Sequence, residues 1–154
     1  MNMEIQAALD VADETDSFLQ ITDVIYDKEA DVGYESLNEA EKTVFCIDQL
    51  LREMENGGFV QFIHHEAGAL AEETLESLER IKAKVSCEVL NKIIDLFPDR
   101  RVPADEDDRI EIFDQIESEY ADEIAELDDR FYDSGENLVG MTLRYVQKNL
   151  RDFH

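Results

Sequence analysis

The sequence is poor in chain breakers, with 6 Gly and 2 Pro in 154 residues. That scarcity excludes a β architecture with many tight turns. Tryptophan is absent and cysteine is limited to Cys46 and Cys87. Both cysteines sit in apolar helical patterns, so a disulfide scaffold is excluded in favour of two buried, reduced thiols. No apolar run approaches the ~18–20 residues that a membrane helix needs. The opening Met1-Asn2-Met3-Glu4 has neither a basic nor an apolar leader segment, which predicts no secretory signal, and reduced thiols at Cys46 and Cys87 fit a cytoplasmic location. Cations are scarce: 14 Lys and Arg stand against 39 Asp and Glu, a formal net charge of −25. Phosphate-rich ligands are repelled by such a surface, so direct nucleic-acid binding and anionic membranes are excluded.

What is present is helical periodicity. Hydrophobic residues make up 44% of the chain, enough for a core in one domain of this length. Ile5, Leu9 and Ala12 predict a short first helix. Phe18, Ile21 and Ile25 predict a second, capped near Asp16 or Ser17. Ser36 and Glu39 have capping-box spacing before the stripe Ala40, Val44, Ile47, Leu51, Met54. Asn56-Gly57-Gly58 ends that helix, and Phe59, Phe62 and Ile63 start a short one. Leu70, Leu75, Leu78 and Ile81 mark the next, and Val89, Leu90, Ile93, Ile94 and Phe97 another, closed by Pro98. After the loop at 98–105, the stripe Ile110, Phe113, Ile116, Tyr120, Ile124, Leu127, Phe131 predicts one long helix or two joined near Tyr120. Ser134-Gly135 breaks it, and Leu138, Met141, Tyr145 and Leu150 stripe the last. The expectation is an all-α, single compact domain of about seven to nine helices over residues 1–154. Residues 1–36 form acidic N-terminal helices and 37–154 the helical core.

The charge is unevenly placed. Residues 1–36 hold 10 acids and 1 base, net −9. Residues 37–98 hold 12 and 6, net −6, an ordinary interleaved surface. Residues 99–137 hold 16 and 4, net −12, and residues 138–154 hold 1 and 3, net +2. Opposite the apolar stripe after Pro103 lie Asp108, Glu111, Glu119, Asp122, Glu126, Asp129 and Asp133. From Glu119 onward their steps of 3, 4, 3 and 4 form a ladder on one helical face. Its rungs are ~5–6 Å apart along the axis. Adjacent phosphates along a nucleic-acid strand are about 6–7 Å apart, the strand winding around a rise near 3.4 Å. Like charges at i,i+4 weaken a helix by a few tenths of a kcal/mol per pair, so local folding does not explain the ladder.

Other constellations carry little chemistry. His64-His65-Glu66 is the only histidine cluster, and neighbouring helical residues point about 100° apart, so the two imidazoles do not share a metal. The i,i+4 His spacing of zinc peptidases is missing. Asp105-Glu106-Asp107-Asp108 fails as a calcium loop because position five is Arg109 and position six is Ile110. It reads instead as an N-terminal cap. There is no Gly-x-Ser-x-Gly elbow, Walker loop or dinucleotide fingerprint. The expectation is a protein that is not an enzyme, with no catalytic residues, no cofactor and no metal.

Three stretches resemble a known family. Leu50 to Phe62, with Asn56-Gly57-Gly58-Phe59-Val60-Gln61-Phe62 at its end, resembles the Asn-Gly-Gly-Phe-x-Gln-Phe signature of a bacterial DNA-mimic protein family. The loop Phe97-Pro98 to Pro103-Ala104-Asp105, and the run Leu127 to Tyr132 with Glu136-Asn137-Leu138, are similar to the same family. Together they cover roughly residues 37–148. The resemblance implies an all-helical homodimer whose acidic surface imitates duplex DNA. Its implied role is to occupy the DNA-binding face of a transcription regulator or another basic DNA-binding protein. The signature itself reads as fold: Gly57 and Gly58 as a tight corner, Phe59 and Phe62 as core. Asp108, Glu111, Glu119, Asp122, Glu126, Asp129 and Asp133 are the expected partner-binding residues. The alternatives are an immunity- or antitoxin-type inhibitor of a basic nuclease, which uses the same surface, and an acidic helical domain that binds divalent cations weakly.

Overall fold

The computed structural model describes residues 2–154, so Met1 of the leader reading lies outside them. Among the described residues there are seven α-helices and no strand: α1 (Met3–Leu9), α2 (Glu14–Val32), α3 (Glu39–His64), α4 (Ala71–Arg80), α5 (Lys84–Asp95), α6 (Glu106–Tyr132) and α7 (Leu138–Lys148). Four short 3-10 turns lie between or after them.

The centre is α3. It packs against α2, α4, α6 and α7. A helix with neighbours on several sides is apolar over more than one stripe. This explains why Leu50 is fully buried and Leu51, which the sequence stripe placed in the core, is only half-buried. Its first half, with Val44, Phe45 and Cys46, shares a core cluster with Ile5, Ile21, Ile25, Val146 and Phe153. Its second half, with Leu50, Phe59 and Phe62, shares another with Leu78, Leu90, Phe113 and Phe131. Residues 1–36 therefore anchor on the first half of α3 and the C-terminal segment, and not on the cluster that holds α4, α5 and α6. The Asn2 N–H donates to the Phe153 carbonyl at 2.6 Å, tying the two ends together.

Several helix starts differ from the sequence reading. Helix α2 begins three residues early. Asp13 is its cap and accepts the Asp16 N–H at 2.9 Å, while Ser17 is buried against the core. Ala12 lies outside α1 and is exposed. The capping box of α3 is Asn38 with Glu41, not Ser36 with Glu39. Asn38 Oδ1 accepts the Glu41 N–H at 2.9 Å and Glu41 Oε1 accepts the Asn38 N–H at 3.0 Å. The shift follows from Leu37, whose buried side chain holds its backbone extended and pushes the helix start past it. Cys46 is buried and Cys87 only half-buried, so the expectation of two buried thiols holds for Cys46 alone. Neither is in a disulfide.

Helix α6 is a single helix with one break. Tyr120 has φ −120° and ψ 28°, outside the helical region. No Gly or Pro sits there. The apolar stripe accounts for the position. Steps of three, Ile110 to Ile116, rotate the stripe one way by about 60° each, and steps of four, Ile116 to Ile124, rotate it back by about 40° each. The reversal falls at Ile116, and the break at Tyr120 comes one turn later, where the helix re-aims its apolar face at the core.

Candidate protein-binding surface

Helix α6 begins at Asp105, whose Oδ2 accepts the Asp108 N–H at 3.0 Å. Glu106, Asp107 and Asp108 fill its first turn, where carboxylates meet the positive end of the helix dipole. The acidic run thus performs the capping that the sequence predicts for it.

Asp108, Glu111, Glu119, Asp122, Glu126, Asp129 and Asp133 are all exposed. None of the seven forms an ion pair with a described residue. On an unbroken helix the seven would span an arc of about 80°. The break at Tyr120 divides them. Asp108 and Glu111 precede it, Glu119 adjoins it, and Asp122, Glu126, Asp129 and the C-cap Asp133 follow on the second segment. The face is not purely anionic, because Glu126 borders a shallow recess with Lys92 and Arg130.

A second acidic row was not resolved residue by residue from the sequence. Asp16, Asp23, Asp27 and Asp31 on α2 are all exposed, opposite the buried Phe18, Ile21 and Ile25. The signal was available: steps of 7, 4 and 4 keep them within an arc of about 80°. Both acidic helices lean on α3.

Asp128 does a different job from its neighbour Asp129. It is half-buried, and its Oδ1 accepts the Phe59 N–H at 2.9 Å. Burial pushes its carboxyl above the ordinary carboxylate range, against the lowering effect of that hydrogen bond. Phe59 starts the second segment of α3 after the break at Gly57 and Gly58, so Asp128 caps that segment from another helix. Gly58 has φ 76°, a left-handed conformation, and is buried beneath the Asp128 carboxylate. Tyr132 Oη donates to the Met54 carbonyl one turn before the break. Glu136 caps α5 in the same manner, accepting the Val85 N–H at 2.9 Å and the Ser86 N–H at 2.8 Å. The corner expected at Gly57-Gly58 is therefore present, and Phe59 and Phe62 are fully buried.

Buried Arg109 closes the other end of α3. It donates to the carbonyls of Ile63 at 2.7 Å, His65 at 3.0 Å, Pro103 at 3.1 Å and Ala104 at 3.0 Å. Burial lowers its pKa from the ordinary arginine value. These carbonyls include unpaired acceptors at a helix end, so the guanidinium meets partial negative charge without a carboxylate partner. His64 is half-buried and His65 exposed. His65 Nδ1 turns to Glu53 at 2.9 Å, away from its neighbour. Burial pushes the thiols of Cys46 and Cys87 above the ordinary value, away from the reactive thiolate.

An all-helical fold, transverse carboxylate caps at its corners and an unpaired acidic helix face define the class: an acidic helical protein with an exposed carboxylate face. Residues 35–149 match the sequence profile of the DMP19-like protein family, and the chain belongs to that family. The match begins just before α3 and takes in Gly58, Asp128 and Glu136, the residues that set its corners. No curated protein and no solved structure matches the chain. No described helix is long and apolar enough to cross a membrane.

Proposed function

We propose that this protein acts by binding and not by catalysis, occupying the DNA-binding face of a basic DNA-binding protein in the cytoplasm. The observation that carries the reading is the row Glu119, Asp122, Glu126, Asp129, Asp133: exposed, without ion-pair partners, and fixed to a helix that is itself packed on α3. Carboxylates at ~5–6 Å intervals accept charge-assisted hydrogen bonds from Lys and Arg as phosphates do. Membership of the DMP19-like family and the resemblance to DNA mimics support the same reading. Asp108 and Glu111 extend the row toward the start of α6, and the α2 row supplies a second anionic stripe. A homodimer belongs to the proposal, and sedimentation at several concentrations tests it.

The test begins with capture from native cytoplasm at low salt and elution by a salt gradient. The eluted protein is then assayed for DNA binding by gel mobility shift with and without this chain. The expected result is a DNA-binding protein whose DNA complex is displaced, with displacement weakening steeply as salt rises. The double variant D122K/E126K is expected to lose displacement. A captured protein that binds DNA equally well in the presence of excess chain overturns the proposal.

A further inference from the structure

His64, Asp114 and Glu117 meet across two helices. His64 is the last residue of α3, and Asp114 and Glu117 are one turn apart on α6, so both carboxylates reach the same side. One ligand-type atom from each lies within 4.8 Å of the other two. His64 Nε2 stands 3.2 Å from Asp114 Oδ1. The imidazole is held in place. It packs edge-on against Phe113, ring centroids 5.7 Å apart at 90°, and Phe113 is fully buried and stacked on Phe97. The His64 side chain is 31% exposed, and Asp114 lies open to solvent, which leaves room for water ligands.

We infer that these three side chains form a site for a divalent transition-metal ion. Bonds of about 2.0–2.2 Å from one ion to imidazole nitrogen and carboxylate oxygen bring ligand atoms to roughly 3–4 Å from one another. The present spacing reaches that by rotation of the two carboxylate side chains. One imidazole with two carboxylates suits Zn²⁺, Mn²⁺, Co²⁺ or Ni²⁺, whereas Mg²⁺ and Ca²⁺ favour all-oxygen shells. The net charge of −25 concentrates cations near the surface. Arg109 takes the Ile63 and His65 carbonyls at the same helix end, so the ligand that α3 offers is the His64 ring. The adjacent pair His64-His65, considered in the sequence, does not make this site. His64 instead finds its partners fifty residues away. Bound metal would pin the end of α3 to the first segment of α6, and this stands whether or not the partner proposal holds.

The experiment is calorimetric titration of the chelator-treated full chain with Zn²⁺, Mn²⁺, Mg²⁺ and Ca²⁺. The expected result is one Zn²⁺ or Mn²⁺ per chain, at least about ten-fold tighter than Mg²⁺ or Ca²⁺. H64A and the double variant D114N/E117Q each weaken binding by at least about ten-fold. The charge-matched control D10N/E72Q, on exposed acids of other elements, binds as the wild type does. In the unaltered chain, ¹⁵N imidazole resonances of His64 shift with Zn²⁺ and those of His154 do not. Several weak ions per chain, an H64A variant that binds as tightly as wild type, a control that loses as much as D114N/E117Q, or unmoved His64 resonances would each overturn the inference.

Discussion

The Asp128 carboxylate occupies the space that a side chain at position 58 would need. A Cβ added to Gly58 would lie 2.7 Å from Asp128 Oδ2, closer than real Cβ contacts come. The same carboxylate accepts the Phe59 N–H at 2.9 Å. Two stretches that resemble one family, some seventy residues apart, are thus halves of one joint. The break in α3 exposes a helix N-terminus inside the protein, and Asp128 fills it from α6.

Replacing Gly58 by Ala tests the joint. A left-handed non-glycine residue costs about 1–2 kcal/mol, and displacing Asp128 adds the loss of a cap. The expected total is about 2–4 kcal/mol, read by chemical denaturation. Gly135 is the control: its φ is 74°, but nothing lies within 4 Å of an added Cβ. G135A is expected to cost only the conformational part, about 1–2 kcal/mol. Equal losses for the two variants would remove Asp128 from the explanation.

Asp128 also predicts a pH signature. Its folded-state pKa is raised by burial, so the folded chain holds this proton more tightly than the unfolded chain. Stability from this group is therefore present at low pH and lost as pH rises from the unfolded pKa through the folded one. D128N keeps an acceptor for Phe59 without the desolvated charge, so its advantage over wild type grows across that rise. D128A leaves the Phe59 N–H unpaired and is expected to lose about 1–2 kcal/mol below the carboxylate titration range, its deficit against wild type narrowing as pH rises through that range. Urea melts of the three proteins over the carboxylate titration range measure both effects.

Function and stability are expected to part at the α6 ladder. Its carboxylates repel one another without compensating ion pairs. D122K/E126K is expected to fold at least as stably as wild type, with a smaller gain in melting temperature when salt rises to about 0.15 M. Partner binding is expected to fall at the same time. A thermal melt and a displacement assay on the same preparation show whether stability rises as binding is lost. A fall in stability comparable to a core mutation would mean that the ladder holds the fold together.

Arg109 is a structural cation. R109M removes four hydrogen bonds to carbonyls and leaves the Ile63 carbonyl of α3 and those of Pro103 and Ala104 without this donor, while the His65 carbonyl keeps the Gly68 N–H. A loss of about 3 kcal/mol or more is expected, and R109K recovers only part of it because an ammonium cannot match the fork. Denaturation midpoints of the two variants check the order.

The amino-acid order alone settled the helical class, the main helices and the location of the acidic ladder. Those features are local: periodicity of 3.6 residues names the buried face and, by subtraction, the exposed one. It also placed the break in α3 at Gly57 and Gly58, and it left α6 as one long helix or two joined near Tyr120, where the break falls. Cap positions were missed where burial decided them, as at Leu37, which moved the start of α3 to Asn38. Tertiary structure decided which acids serve the fold and which remain unpaired. Asp128 and Asp129 are neighbours in one acidic run, yet one caps a helix and the other faces water. The meeting of His64 with Asp114 and Glu117 was equally invisible along the chain. Contacts between residues fifty or more positions apart depend on how helices cross, and crossing geometry arises from packing that no local pattern encodes.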